Sequence, residues 1–300
     1  MIDVQRLRVL RTVAEHGSFN RAAAALRLTP SAVSQHVAAL ERSLGAQVVA
    51  RSTRGVTLTP AGRIMVGAAE SVAAELVHAQ RQVDRLGSGH TRITIATFTS
   101  GGRLLLPGAI AHLASSHPDT VVHVREAEPE DSLPLVRQGA VDLALAYHFD
   151  GPLPGARGPA SGPVWTALLE DPLHVVLPDT HPLAGRESLD ISELAAEPWV
   201  LGCLKTEAYL RRYAERAGFE PEVRSTTTDY FFARSLVAAG LGISLIPSIA
   251  QSPPVAGVRT VPVVPPAPTR HIGLAALVRR GLPQVTTLIR ALQHQAAVLG

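Results

Sequence analysis

The stretch TPSAVSQHVAALERSLG, residues 29–45, constrains the fold more than any other part of this 300-residue chain. Thr29 is a preferred residue type just before a helix, and Pro30 suits the first helical position, where an N–H has no intrahelical partner. Gly45 is typical of the residue that ends a helix. Apolar residues recur between these limits at Val33, Val37, Leu40 and Leu44. This spacing predicts one helix with a buried aliphatic face.

Two shorter helices are predicted before this one. Leu7, Leu10 and Val13 or Ala14 repeat at helical spacing in the first, which Gly17 ends. Ser18 is a suitable N-cap for the second. The apolar face of the second helix contains Phe19, Ala22, Ala23 and Leu26. Two helices joined by a tight turn, the later one with a small polar outer face, form the pattern of a helix-turn-helix.

The outer face of the third helix carries short polar groups where a solvated helix usually carries acidic ones. The residues that face away from the aliphatic stripe are Ser31, Ser34, Gln35, Ala38 and Arg42. Such a surface can enter the DNA major groove, where glutamine can form two hydrogen bonds with adenine. For any single residue an ordinary solvated face is a competing explanation. The whole pattern predicts DNA contacts by Thr29, Ser31, Ser34, Gln35, His36 and Arg42.

A basic hairpin is predicted to follow. Val48-Val49 and Val56–Leu58 read as its strands, and Arg51 and Arg54 flank the turn. Beside a recognition helix this hairpin is a wing whose arginines bind phosphates or enter the minor groove, although ordinary surface arginines are the alternative. Residues 1–86 carry eleven arginines against six acidic residues, whereas the remainder carries seventeen basic and nineteen acidic residues. A basic block on a nearly neutral body is typical of a nucleic-acid-binding module.

A long helix is predicted from Pro60 to about Leu86. Its apolar residues step by three or four positions, at Met65, Ala68, Val72, Leu76, Ala79 and Val83. The stripe predicts a seam for a partner helix, with packing on its own chain as the alternative. A two-fold homodimer would place two recognition helices on a partly palindromic site.

Residues 17–62 resemble the N-terminal winged helix-turn-helix of the LysR-type transcriptional regulators. The matching features are Gly17-Ser18-Phe19, Ala22-Ala23, Leu26, Ser31-Ala32-Val33-Ser34, Leu40-Glu41, Leu44-Gly45, Arg51, and the run Arg54, Leu58-Thr59 and Ala61-Gly62. Val48-Val49 stands where the family often has a Leu-Phe pair, so smaller side chains pack under the wing.

The resemblance implies an α/β fold class with an N-terminal all-α winged helix-turn-helix, a long linker helix and two Rossmann-like α/β subdomains that resemble a periplasmic binding protein. The domain limits are 1–59 for DNA binding, 60–89 for the linker helix and hinge, and 90–300 for effector binding. The implied partners are double-stranded DNA, an unidentified small-molecule effector and further copies in a homodimer or homotetramer. RNA polymerase is a further candidate partner.

The strand and helix pattern after residue 90 agrees with this reading. Buried strands such as ITIATF alternate with helices, which predicts an open, mostly parallel sheet. The predicted subdomains are 91–165 plus 270–300, and 166–269, with crossings near Pro163 and Thr269. A cleft between two such lobes is a natural small-molecule site.

Placed on the family's cleft, polar residues at strand and helix ends become candidate effector contacts. These are Thr97, Thr99, Ser100, Glu128, Tyr147, Cys203 and Thr228. Backbone N–H groups at Ser100 and Gly101 begin a helix and suit an anionic ligand. An inward Glu128 would argue against a simple carboxylate effector. Helix capping is an equally good reason for the Thr and Ser residues.

Other chemistry is set aside at this point. Cys203 is the only cysteine, so a peroxide-sensing disulfide within the chain has no second thiol. His112, His117 and His123 are placed across a helix end, a loop and a strand, so no metal site is predicted. No P-loop, nucleophile elbow or HExxH motif is present, and we expect neither an enzyme nor a cofactor.

An α/β enzyme or solute binder with an accessory DNA-binding head is the competing function. The absence of a signal segment and of a membrane-length apolar run predicts a soluble cytoplasmic protein.

Overall fold

The computed structural model describes residues 2–52, 55–88, 90–149, 163–203, 205–277 and 282–299. The chain forms a small N-terminal head, a long helix and a body of two α/β lobes. The described helices include none that is both long enough and apolar enough to cross a bilayer.

The head is a three-helix unit with a hairpin. Its elements are α1 (Val4–His16), α2 (Phe19–Leu26), α3 (Pro30–Leu44), β1 (Val49–Ser52) and β2 (Gly55–Leu58). Gly17 and Gly45 end α1 and α3 in the left-handed conformation, with φ of 61° and 67°. Thr29 caps α3, because its Oγ1 accepts a hydrogen bond from Ala32 N at 3.2 Å. Ser18 precedes α2 in an extended conformation, but its side chain makes no capping hydrogen bond.

The aliphatic stripe of α3 forms the centre of the head's core. Val33, Val37 and Leu40 are fully buried, and Leu44 packs against them while remaining partly exposed. They meet buried side chains of α1 and α2, namely Leu7, Val9, Leu10, Val13, Ala22 and Ala23. The predicted inward face of α3 is therefore confirmed.

The long helix α4 (Pro60–Ser88) begins against the head and then extends beyond it. Met65 and Val72 pack against the head's core, and Ala69 lies within that core. Further along, Leu76 and Val83 are exposed by 57% and 61%. The helix thus leaves the head and presents aliphatic side chains that the described part of the chain leaves uncovered.

The body contains the remaining elements. They are β3 (Thr91–Thr97), α5 (Thr99–Ser116), β4 (Thr120–Glu126), α6 (Pro129–Arg137), β5 (Leu143–His148), β6 (Pro163–Pro178), β7 (Pro198–Leu201), α7 (Thr206–Arg216), β8 (Glu222–Thr226), α8 (Tyr230–Ala238), β9 (Ser244–Pro247), β10 (Val258–Val261), β11 (Thr269–Leu277) and α9 (Pro283–Leu299). Two short 3₁₀ turns, Ile191–Leu194 and Ser248–Ala250, lie between them.

The sheet of the first lobe has the strand order β4-β3-β5-β11-β6. β3 is parallel to β4 and to β5, as predicted for the first three strands of the body. β11 is antiparallel to both β5 and β6, because the chain returns from the second lobe through this strand. Helices α5 and α9 pack together against this sheet.

Strand β6 belongs to both lobes. Up to Pro172 it pairs with β11, and from Leu173 onward it pairs with β9 and β10 of the second lobe. The sequence places this crossing near Pro163, so the strand stays in the first sheet for about nine residues longer than predicted. The reason is that the Gly/Pro-rich stretch before residue 163 is followed by one uninterrupted strand of 16 residues.

A buried ion pair lies where β6 passes from one lobe to the other. Arg270 and Asp171 are register partners on β11 and β6, and Arg270 Nε donates to Asp171 Oδ2 at 2.6 Å. Both side chains are fully buried, at 1% and 0% exposure. Asp171 Oδ1 also accepts a hydrogen bond from Ile249 N at 3.1 Å. One carboxylate therefore ties both crossing strands to the 3₁₀ turn at 248–250.

Candidate functional site

The outer face of α3 is open to solvent. Ser31, Gln35, Ala38 and Arg42 are exposed, and Ser34 and His36 are half-buried. Thr29 is exposed as well, and its hydroxyl lies 3.0 Å from that of Ser31 while it caps the helix. The predicted polar residues thus lie together on one accessible surface opposite the aliphatic stripe.

The hairpin is fixed to the helices of the head by hydrogen bonds that its backbone N–H groups donate. Glu41 Oε1 accepts from Val48 N at 2.9 Å and from Val49 N at 3.4 Å. Val56 N donates to the carbonyl of Gly17 at 3.0 Å, which joins the second strand to the turn between α1 and α2. These contacts fix the orientation of the hairpin relative to α3.

The structure describes the side chain of neither predicted wing arginine. Arg51 belongs to β1, but its side chain lies outside the described residues, as does all of Arg54. Their DNA contacts therefore stay a prediction.

The predicted seam of α4 divides into two parts. Met65 and Val72 contact the core of their own head, and Ala68 is half-buried. Leu76, Ala79 and Val83 are exposed. Packing on the chain's own head accounts for the first part, because the head covers only the first half of the helix.

A cavity of about 240 Å³ lies between the two lobes. Six of the seven predicted effector residues line it, namely Thr99, Ser100, Glu128, Tyr147, Cys203 and Thr228. Thr97 does not, which corrects that prediction. Its side chain is buried beside Gly102, and its hydroxyl donates to the carbonyl of Phe98 at 3.1 Å. Side chains alternate along β3, so the neighbouring Phe98 faces the cavity instead.

Arg270 lies at the deep end of this cavity. Its Nη2 donates to Ser100 Oγ at 2.8 Å, and its guanidinium carbon lies 5.0 Å and 4.9 Å from the ring centres of Phe98 and Tyr147. Burial alone would lower the pKa of Arg270, but Asp171 and Tyr230 outweigh burial and raise the pKa. The side chain is a fixed cation whose charge Asp171 largely balances.

The start of α5 adds hydrogen-bond donors beside Arg270. Phe98 precedes the helix and supplies no side-chain cap, and the first backbone hydrogen bond of the turn runs from Gly102 N to Phe98 O. Within the described residues, nothing accepts from the backbone N–H groups of Thr99 and Ser100, both of which line the cavity. A helix N-terminus with free N–H groups favours anions.

A carboxylate lies on another wall of the cavity. Tyr147 OH donates to Glu128 Oε2 at 2.8 Å, and burial, together with Cys203 and Glu128, raises the pKa of Tyr147, so the phenol stays protonated. Lys205 Nζ lies 3.2 Å from the same oxygen and also pairs with Glu130. The sequence left the direction of the Glu128 side chain open, and the structure shows that it lines the cavity.

Cys203 also lines the cavity. Its sulfur lies 3.7 Å from Tyr147 OH and is a free thiol. Of the three histidines set aside as metal ligands, His117 Nε2 lies 3.1 Å from Thr287 Oγ1. Across the part of the chain that the structure describes, no three His, Cys, Asp or Glu side chains are grouped as a metal site would need.

Several cavity residues escaped the sequence analysis. They are Phe98, Arg103, Asp229, Tyr230, Phe231 and Arg270. Arg270 could have been noticed, because it is a charged residue at the start of an apolar strand. Its role nevertheless depends on Asp171, 99 residues earlier, and no local pattern reveals that pairing.

Comparison with known proteins covers nearly the whole chain. Residues 4–63 match the family described as "Bacterial regulatory helix-turn-helix protein, lysR family", and residues 87–297 match "LysR substrate binding domain". A probable hydrogen peroxide-inducible genes activator of Mycobacterium avium is 33% identical over 281 residues, which cover 89% of this chain and 86% of that protein. The DNA-binding transcriptional dual regulator OxyR of Escherichia coli K12 is 27% identical over 283 residues, covering 91% and 88%.

Solved structures show the same architecture. Full-length BenM superposes with a TM-score of 0.60 at 23% identity, over 99% of this chain and 97% of that one. A C206 mutant of Corynebacterium glutamicum OxyR gives a TM-score of 0.56 at 26% identity, over 99% and 93%. The arrangement of head, long helix and two lobes is therefore shared with both proteins.

Proposed function

Since this chain belongs to the LysR family of bacterial transcription regulators, we propose that α3 reads its operator and that a small molecule in the cavity between the lobes controls that binding. Like its relatives, which are transcription regulators, the chain is a ligand-responsive DNA-binding regulator and not an enzyme. The open polar face of α3 opposite its buried aliphatic stripe is the observation that carries the proposal.

Each part of the recognition surface has a distinct role in this proposal. Gln35 and Ser34 contact base edges, and Arg42 contacts phosphates beside the groove. Thr29, Ser31 and His36 contact the backbone or bases at the edge of the same face. Arg51 and Arg54 in the wing add phosphate contacts, and their contribution depends on salt.

Dimerisation through α4 would seat two heads on one operator. The exposed residues Leu76, Ala79 and Val83 are the part of the predicted seam that is available to a second copy. A homodimer reads a partly palindromic site, and pairing of dimers gives a homotetramer. We propose that the protein binds DNA in the cytoplasm and that RNA polymerase is its partner at promoters.

The effector would bind between the lobes. Thr99, Ser100, Glu128, Tyr147, Cys203 and Thr228 surround it, together with Arg270 and Tyr230. The N-terminus of α5 would hold an anionic group of the ligand. Binding would then favour one arrangement of the lobes, limited by the difference in affinity for the two arrangements.

A second candidate, peroxide sensing, is favoured by one observation. Relatives are described as hydrogen peroxide-inducible genes activators, and the Cys203 thiol lines the cavity. The thiolate would attack peroxide, forming a sulfenic acid and releasing hydroxide. The chain holds no second cysteine for an internal disulfide. A mass increase of one oxygen, together with loss of peroxide-dependent DNA binding in Cys203→Ser, would support this candidate.

Footprinting on the DNA upstream of the protein's own gene tests the main proposal. We expect protection longer than one helical turn, and Ser34→Ala with Gln35→Ala should weaken it at least tenfold, because each bidentate base contact contributes about 1–3 kcal/mol. Gln293→Ala, an exposed glutamine on α9, is the matched control and should bind as the parent does. Unspecific binding by the parent, or unchanged specific binding by the double variant, contradicts the proposal.

A further inference from the structure

An ammonium group of the chain itself lies against the carboxylate wall of the cavity. Lys205, just before α7 in the second lobe, places Nζ 3.2 Å from Glu128 Oε2 and 5.7 Å from the ring centre of Tyr147. Glu128 and Tyr147 belong to the first lobe. A carboxylate and an aromatic ring therefore together hold a cation across the cleft, which is a common way of binding ammonium groups.

The carboxylate of Glu128 is oriented for this purpose. Tyr147 OH donates to the oxygen that Lys205 approaches, so the phenol fixes the position of the acceptor. Glu128 keeps substantial exposure, with 41% of its side chain accessible. A second anion at this wall would be repelled, whereas a ligand cation would find an acceptor already in position.

Groups that suit an anion lie close to this carboxylate wall. Arg270 stacks 4.9 Å from the same Tyr147 ring and donates to Ser100 at the start of α5. Tyr147 thus touches the cationic Arg270 through its ring and the anionic Glu128 through its hydroxyl. One small ligand next to this ring would meet an anion-binding group and a cation-binding group together.

We propose that the effector is a small zwitterion that carries both an amine and a carboxylate. This rests on the proposed function and names the ligand class for the same cavity. The ligand's carboxylate lies at the start of α5 beside Arg270. Its ammonium group replaces Lys205 at Glu128.

Two further observations fit this assignment. Lys205 also pairs with Glu130, so it keeps an acidic partner when the ligand takes Glu128. The cavity volume of about 240 Å³ lies below the roughly 300–1,000 Å³ typical of drug-sized ligands and suits a molecule of amino-acid size.

Calorimetric titration of the full chain tests the assignment. The probes are the L-α-amino acids and the ω-amino acids from 3-aminopropanoate to 6-aminohexanoate, each compared with the same carboxylate lacking the amine. We expect at least one zwitterion to bind tenfold or more tightly than its amine-free counterpart. Glu128→Gln should reduce this preference to near unity while leaving the amine-free carboxylate almost unaffected.

Lys205→Met distinguishes ligand exchange from a merely structural contact. Removing the internal competitor should strengthen binding of the preferred zwitterion several-fold without strengthening its amine-free counterpart. A purely structural tie between the lobes would instead leave the preference unchanged or weaken both ligands. Glu207→Gln, whose carboxylate pairs with Arg211 outside the cavity, is the control and should keep the parental preference.

The assignment is overturned if no probe zwitterion binds, if the amine-free carboxylates bind equally well, or if Glu128→Gln preserves the preference. Failure of the proposed function would show separately, as loss of specific operator protection in the absence of any probe. Specific protection together with any of the three negative ligand results rejects the zwitterion and keeps the regulator.

Discussion

His174 on β6 is a half-buried histidine with an unfavourable position for charge. Within the described residues, its Nδ1 is buried and has no hydrogen-bond partner. Burial lowers the pKa of His174, and Asp171 opposes this only in part. The folded protein thus binds a proton at this site less readily than the unfolded chain, whose histidine pKa is about 6.5.

Acidification should therefore destabilise the fold through His174. Between its lowered folded-state pKa and the ordinary value, the unfolded chain binds more protons, so the free energy of unfolding falls as pH falls. We expect the loss in Tm between pH 7.5 and 5.5 to be smaller for His174→Gln than for the parent. His294→Gln, at an exposed position on α9, serves as control. An equal loss in His174→Gln and the parent would contradict this origin.

The residues of the site were predictable where position in the chain determines them. Ser100, Glu128 and Tyr147 follow or end strands, and strand ends meet at the cleft. Thr97 failed because one step along a strand reverses the direction of a side chain. Arg270 was missed because its importance comes from a register partner in a distant strand.

At the scale of elements, the second half of α4 offers an aliphatic surface. Leu76 and Val83 are two helical turns apart and both exposed. If they form the seam with a second copy, Leu76→Glu with Val83→Glu places like charges together at the interface and should raise the dimer dissociation constant at least tenfold. Analytical ultracentrifugation measures this directly.

Val298→Glu is the control for the α4 variant, because it adds charge at an aliphatic residue on α9 that is even more exposed. This control should assemble as the parent does. Equal assembly of the α4 variant and the parent would leave the exposed stripe without a role in dimerisation.

The long helix also touches the first lobe of its own chain. Gly139, just after α6, has φ of +67°, and a Cβ there would lie 3.0 Å from the Cα of Ala74. Gly139→Ala combines a left-handed conformation with a clash against backbone. Gly240→Ala has a similar φ of +79° and open space, so it isolates the conformational cost.

We expect Gly139→Ala to be less stable than Gly240→Ala by about 1–3 kcal/mol, the usual cost of overpacking. Urea denaturation of both variants gives the difference. Equal losses would mean that the contact between α4 and the lobe yields easily. In that case this contact would contribute little to the orientation of the head.

Prediction of elements from the sequence depended on how many residues each one buries. The helices of the head have regular apolar faces, and Gly17 and Gly45 end α1 and α3, so their limits were predicted closely. β8 and β10 were missed, since each is only four or five residues long and Val261 is the one fully buried residue among them. The segment Ile191–Leu194 is a single 3₁₀ turn and not a longer helix, because only Ile191 and Leu194 are buried there.

At the scale of the whole molecule, the Arg270–Asp171 pair holds both lobes to their shared strands. Removing one partner leaves a buried charge alone, which costs about 3–5 kcal/mol. We expect this loss in urea denaturation for Asp171→Asn and for Arg270→Met. The apolar double exchange Asp171→Leu with Arg270→Met should recover much of it.

The partly exposed pair of Glu207 and Arg211 provides the comparison for the buried pair. Glu207→Gln should cost less than about 1 kcal/mol, as exposed pairs usually do. A similarly small loss for Asp171→Asn would show that water reaches the buried pair.

The order of strands also determines how the protein is built during synthesis. β11 lies between β5 and β6 inside the first sheet but is among the last elements that the ribosome releases, whereas every element of the head precedes residue 59. A stop codon before residue 269 would yield a head with a complete core on a body that lacks this interior strand. Such a fragment would bind operators without responding to the effector. Truncating mutations in this gene should therefore act dominantly over the intact copy.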